Sequence, residues 1–184
     1  KPSSAASDVY KRQAMYTYAV PQVDRVSFVS LVQTDVLHAE VVHTSQLRAR
    51  VEQCLHSREP LAIVQAVSEY LPYLLGLYDC VLRDTILLRD DVHLTWRSML
   101  VSSKFRLHGL LSEVCLMHML YASSLRAEAA TIVEALGAYE LGAHDRKACD
   151  DRLRVAIDLL CRASGVCEYC LLYTSPSPRD ATLS

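Results

Sequence analysis

Apolar residues recur at helical spacing through most of the chain, and four stretches stand out. Leu37, Val41, Leu47, Val51 and Leu55 predict a first helix. Thr34 or Asp35 can cap it, and it ends around His56–Arg58. Pro60 suits the first turn of a second helix, whose stripe is Leu61, Val64, Val67, Leu71, Leu74, Leu75, Tyr78 and Leu82. Pro72 falls inside that stripe and predicts a kink or a restart, because proline lacks the backbone donor and crowds the preceding turn. A third helix is expected from Ser103–Leu107, apolar at Leu107, Leu110, Leu111, Val114, Met117, Leu120, Tyr121 and Leu125. It continues or restarts through AEAATIVEALGAYELG, with Gly142 as a stop. Asp145 opens a last helix lined by Leu153, Ala156, Ile157, Leu160, Ala163, Val166 and Cys167. Gly165 within it costs about 1 kcal/mol against alanine, which marks a close helix contact.

The remaining segments have other patterns. Residues 16–33 are rich in β-branched and aromatic side chains, interrupted by Pro21 and a polar break, and read as extended segments or a small hairpin. Arg83–His93 is charged and reads as a connection; HLTWRSML carries the single tryptophan, Trp96, on a short extended stretch or turn. The fold class that follows is all-α: antiparallel helices joined by short links in a tetratricopeptide-like or solenoid arrangement, with a possible short N-terminal β segment.

The two ends do not share this pattern. Asp8–Gln13 and Cys170–Ser175 can be encoded by one short DNA element read on opposite strands, and both ends resemble translated sequencing adapters. Residues 1–13 and 170–184 are therefore expected to be adapter-derived and disordered, leaving 14–169 as the N-terminal part of a helical domain. A disordered native head and tail would suit the same composition.

Composition narrows the function classes. The chain is 51% hydrophobic, enough for a core. Four of the 19 basic and two of the 21 acidic residues lie in the two ends, so 14–169 carries about −4, which gives no electrostatic case for nucleic acid. No run of about 18 residues lacks a charge, so no transmembrane segment is expected. Cys54, Cys80, Cys115, Cys149 and Cys161 fall singly in helix-like stretches and read as buried thiols in a reducing compartment such as the cytosol. Cys167 and Cys170 look like half a zinc site, but Cys170 belongs to the adapter-like end, so no metal is expected.

No phosphate-binding glycine loop, dinucleotide fingerprint, nucleophile elbow or HExxH occurs. His108 and His118 are nearly three turns apart, and His38 and His43 are five residues apart, spacings that do not build a chelate. Glu113, inside LLSEVCLM, is read as a structural carboxylate bonded to backbone or an arginine, with a raised pKa as the alternative. No catalytic constellation and no cofactor are expected.

Four segments in order, AVSEYLPYLLGL, VHLTWRSML, LSEVCLMHMLYASSLRAEA and LRVAIDLLCRASGVCEY, resemble the Bro-one domain, the Alix-like module. Tyr70, Leu74, Leu75, Trp96, Ser98, Glu113, Ala127, Ala163, Gly165 and Tyr169 take the places of its signature residues, and AVPQVDRVSF resembles its opening strand. Leu94 stands where the family has an aromatic. The resemblance implies a boomerang-shaped helical domain and a non-catalytic role. It also implies docking of the C-terminal amphipathic helix of an ESCRT-III subunit in endosomal sorting, in the cytoplasm or in association with endosomes, with peripheral membrane association open. Much of the family's docking patch follows the point matched by Tyr169, so the groove is expected to be incomplete here, and no protein-binding residue is assigned. A helical scaffold without ESCRT binding fits the composition equally.

Overall fold

The computed structural model describes residues 22–24, 26–33, 37–89, 92–97, 104–137 and 146–174. Among the described residues it is a row of four helices with a small three-stranded sheet. In chain order the elements are β1 (Gln22–Val23), α1 (His38–Ser57), α2 (Pro60–Leu82), β2 (His93–Arg97), β3 (Lys104–His108), α3 (Leu110–Gly137) and α4 (Arg146–Thr174). Each helix packs on the next, α1 on α2, α2 on α3 and α3 on α4. The mostly helical architecture with a short β segment agrees with the sequence pattern.

The α1–α2 pair is a helical hairpin with a two-residue link. Arg58 ends α1 in the left-handed region at φ 58°, Glu59 is extended, and Pro60 occupies the first turn of α2. A left-handed non-glycine residue costs roughly 1–2 kcal/mol, which the packing that follows must exceed. Val41, Leu47, Val51 and Leu55 of α1 are buried as expected. The caps expected at Thr34 and Asp35 lie outside the described residues. On α2 the buried face is Ile63, Val64, Val67, Tyr70, Leu71, Leu74 and Leu77, while Leu61 and Leu82 are exposed. The helix runs unbroken through Pro72, so the expected restart does not occur. Pro72 and Ser68 are both exposed, so the carbonyl freed by the missing N–H lies on the solvent side, where water can bond it. By length and composition α2 could cross a membrane, which the charge count alone did not suggest. Its buried face against α1 and α3 is equally that of a core helix.

The sheet departs most from expectation. No hairpin forms within the described part of 16–33; instead β1 pairs antiparallel with β2, Val23 opposite Trp96. Residues 104–108, expected to begin the third helix, form β3, with Leu107 opposite Leu94 and Phe105 opposite Trp96. The KFRLH stretch alternates polar and apolar, which suits a strand once HLTWR offers an edge. Gly109, at φ 81°, makes the turn into α3 and donates its N–H to the Val92 carbonyl at 2.9 Å. That backbone conformation favours glycine.

The Arg83–His93 connection is also anchored. Val32 bridges Leu88, Arg89 N–H donates to the Leu31 carbonyl at 2.7 Å, and Ile86 and Val92 are buried. Phe28, on a single 3-10 turn, is fully buried and donates its N–H to Ser45 Oγ at 3.0 Å.

The main core joins the sheet to α1, α2 and the first half of α3 through Phe28, Val51, Val67, Tyr70, Leu94, Trp96 and Met117. A second cluster holds α4: Val64, Ala122, Leu125, Ala129, Ala156, Leu159 and Ala163. Four alanines there let the helix backbones approach. α3 is continuous to Gly137, and the expected stop at Gly142 and start at Asp145 lie outside the described residues. α4 runs to Thr174, so Cys170–Thr174 are helical rather than disordered. A helix propagates into following sequence that lacks proline and glycine, whatever its coding origin. Residues 1–13 and 175–184 lie outside the described residues.

Candidate functional site

Three positions in this fold gather side chains that core packing alone does not demand: a buried polar centre, an apolar strip on α4, and hollows where α2, α3 and α4 meet.

The polar centre is built on Glu113, in the first turn of α3. There the free backbone N–H groups and helix dipole favour a negative charge. Arg48 Nε of α1 donates to Glu113 Oε1 at 2.5 Å, with both side chains inaccessible (1% and 0%). Arg48 Nη2 reaches the Asp24 carbonyl beside β1 at 3.4 Å, and Tyr70 Oη of α2 donates weakly to Glu113 Oε1 at 3.5 Å. Arg48 Nη1, Glu113 Oε2 and Trp96 Nε1 have no hydrogen-bond partner among the described residues. Burial, then the neighbouring Glu113 charge, pushes the Tyr70 phenol well above its ordinary 10.0, against the opposing pull of Arg48. The phenol stays neutral, and no group of this centre reaches solvent. It ties β1, α1, α2 and α3 together, which is the structural reading given to Glu113.

The expected signature residues do not form one site. Tyr70, Leu74 and Trp96 lie together in the main core, with Glu113 bonded to Tyr70, and Leu75 is partly buried beside them. Ser98 lies outside the described residues. Ala127 is half-buried on α3, and its carbonyl accepts the Thr131 hydroxyl at 3.1 Å. Ala163 belongs to the second cluster. Gly165 and Tyr169 are exposed, and a Cβ at Gly165 would meet nothing within 4 Å, so the expected close helix contact is absent there.

On α4 the expected apolar stripe splits. Ala156, Leu159 and Ala163 are buried, whereas Leu153 (42%), Ile157 (58%) and Leu160 (44%) are exposed on a neighbouring strip. Val166 packs on the second cluster. Between α2, α3 and the end of α4, a mainly apolar hollow is lined by Leu75, Tyr78, Leu111, Cys115 and Cys170. Burial, then the neighbouring Cys115 and Cys167, pushes the Cys170 thiol up, away from a reactive thiolate. No disulfide joins the cysteines of the described residues; Cys54, Cys80, Cys115 and Cys149 are only half-buried and Cys161 is exposed, so the expected burial is partial. Among the described residues no three His, Cys, Asp or Glu gather as a metal site.

Sequence reasoning missed Arg48. Its signal was position: it lies four residues after Thr44 and seven after Val41, on the buried face of α1. It also missed Arg162, which reaches Tyr121 across the α3–α4 contact.

No protein-family profile matches the chain, and no solved structure matches it. A curated relative is the pH-response regulator protein palC of Cryptococcus neoformans var. neoformans serotype D (strain B-3501A), 28% identical over 179 residues. The alignment covers 84% of this chain and 36% of the relative, so the chain spans about a third of that protein's length. It makes the chain a distant homologue of a regulator.

Proposed function

We propose that the chain is part of a non-catalytic protein-interaction module of the Bro-one type, serving an ESCRT-linked, pH-response pathway. The observation that carries this reading is the Leu153–Ile157–Leu160 strip, left exposed at the end of a row in which every helix packs on the next. An amphipathic partner helix docks between two helical walls, and this strip supplies one of them. The ordered resemblance of the four segments supports the family, and the relation to a pH-response regulator supports a regulatory rather than a catalytic role.

The docking of an ESCRT-III C-terminal helix is assigned to a protein of the relative's length, of which the chain spans about a third. The module then acts in the cytoplasm and is recruited to endosomes as a peripheral protein. The test is titration of labelled C-terminal helices of ESCRT-III subunits against this chain and against a protein of the relative's length. Saturable micromolar binding by the longer protein, absent from the 184-residue chain, is expected. Binding by neither leaves the helical-scaffold reading in its place, and equal binding by both puts a complete groove within the described helices.

A further inference from the structure

Where α2, α3 and α4 meet, the floor of an open hollow is a glycine that neither backbone nor packing requires. Gly165 does not adopt a positive φ, and an added Cβ would meet nothing within 4 Å. Alanine would favour the helix by about 1 kcal/mol. What the glycine does is keep the surface of α4 low at this point. Leu71 of α2 and Val166 and Tyr169 of α4 wall a hollow of about 380 Å³ above it. That volume takes one or two side chains and not the flank of a whole helix, which separates it from the strip on the same helix.

The hollow has a charged edge. Arg162 Nη2 donates to Tyr121 Oη at 2.6 Å, and its guanidinium carbon stands 6.0 Å from that ring's centre. The tyrosine thus holds the arginine in place while leaving its other donors available. Among the described residues Arg162 has no carboxylate within ion-pair distance, although the chain as a whole is acidic. The other titratable groups of the lining are His118, Tyr121 and Tyr169, so no carboxylate contributes to it. His118 Nδ1 is engaged by the Val114 carbonyl at 2.8 Å, and its ring lies 5.3 Å from that of Tyr169. An apolar hollow with a fixed, unneutralised cation at its edge complements an apolar side chain next to a carboxylate.

We propose that this hollow docks a short acidic segment of a partner protein, with one apolar side chain seated over Gly165 and an adjacent carboxylate paired with Arg162. The site lies wholly within the described helices and stands apart from the ESCRT-III reading.

The probe is a fluorescein-labelled dodecapeptide with Phe-Asp-Glu at its centre in a Gly/Ser background. A twin carries Phe-Lys-Lys, and both are read by anisotropy on the 184-residue chain. The acidic peptide should bind saturably and the basic twin should not. Arg162→Glu and Gly165→Leu should each weaken binding about tenfold or more, near 1.4 kcal/mol. Gly165→Ala should weaken binding while raising the melting midpoint, a pair of opposite effects that damage to the fold would not produce. Leu87→Lys, on the exposed connection between α2 and β2, should leave binding unchanged. The proposal is overturned by absent binding of the acidic peptide, by equal binding of the basic twin, or by full affinity in Arg162→Glu or Gly165→Leu. Any of these, with ESCRT-III helices still captured by the longer protein, removes the hollow and leaves the module standing.

Discussion

Arg48 and Glu113, 65 residues apart in sequence, meet through a 2.5 Å Nε–Oε1 contact from which solvent is excluded on both sides. Neither charge has another route to neutralisation in the core. Removing one partner strands the other. Glu113→Ala or Arg48→Ala should destabilise by about 3–5 kcal/mol, whereas the paired change to Leu and Met should cost far less. Urea titration of the three variants checks this; additive losses would show that the two residues do not act together.

Tyr70 carries a pH dependence of defined sign. Its folded pKa is raised above the ordinary 10.0, so in alkali the unfolded chain releases the proton first. Its contribution is intact below about pH 10 and is lost as pH rises from there toward the folded value. Tyr70→Phe should flatten that part of the alkaline decline and change little at neutral pH, since the 3.5 Å bond to Glu113 is weak. Parallel stability profiles for both proteins above pH 10 would contradict it.

Trp96 is buried in the cluster that holds Leu110, Val114 and Met117. Trp96→Ala should cost about 3–5 kcal/mol. Trp96→Phe should recover much of this, because the indole N–H has no partner among the described residues and its loss removes no observed hydrogen bond. Thermal melts of the two variants decide between a packing and a hydrogen-bonding role.

The exposed strip on α4 should promote self-association at high concentration. Ile157→Lys and Leu160→Lys together should shift the chain toward monomer in sedimentation velocity without lowering stability to urea by more than about 0.5 kcal/mol. A concentration-independent monomer in the unaltered chain would show that the strip is too small to act.

The helices were legible because their burial is one-sided. Val41, Val51, Val67, Leu74, Val114 and Leu125 sit on faces that periodicity alone identifies. The sheet was not, because β1 has two residues and its partner lies some 70 positions away, a pairing that no local pattern encodes. Leu107 illustrates the ambiguity: it suits a helical stripe and a strand equally, and the pairing with Leu94 decides. For the exposed strip on α4, sequence pointed to Leu153, Ile157 and Leu160 but grouped them with the buried Ala156 and Ala163, since a broad apolar arc does not declare which half is covered. Arg162 escaped notice because its contact with Tyr121 joins residues 41 positions apart on two different helices.

The long separation of Arg48 from Glu113 has a consequence on the ribosome. At roughly 5–20 residues per second, α1 and α2 emerge several seconds before the carboxylate that answers the cation on the inner face of their hairpin. Until α3 and the β2–β3 pair arrive, that hairpin holds a charge where its core should be dry. Closing the hairpin around Arg48 before then carries the cost of an unpaired buried charge.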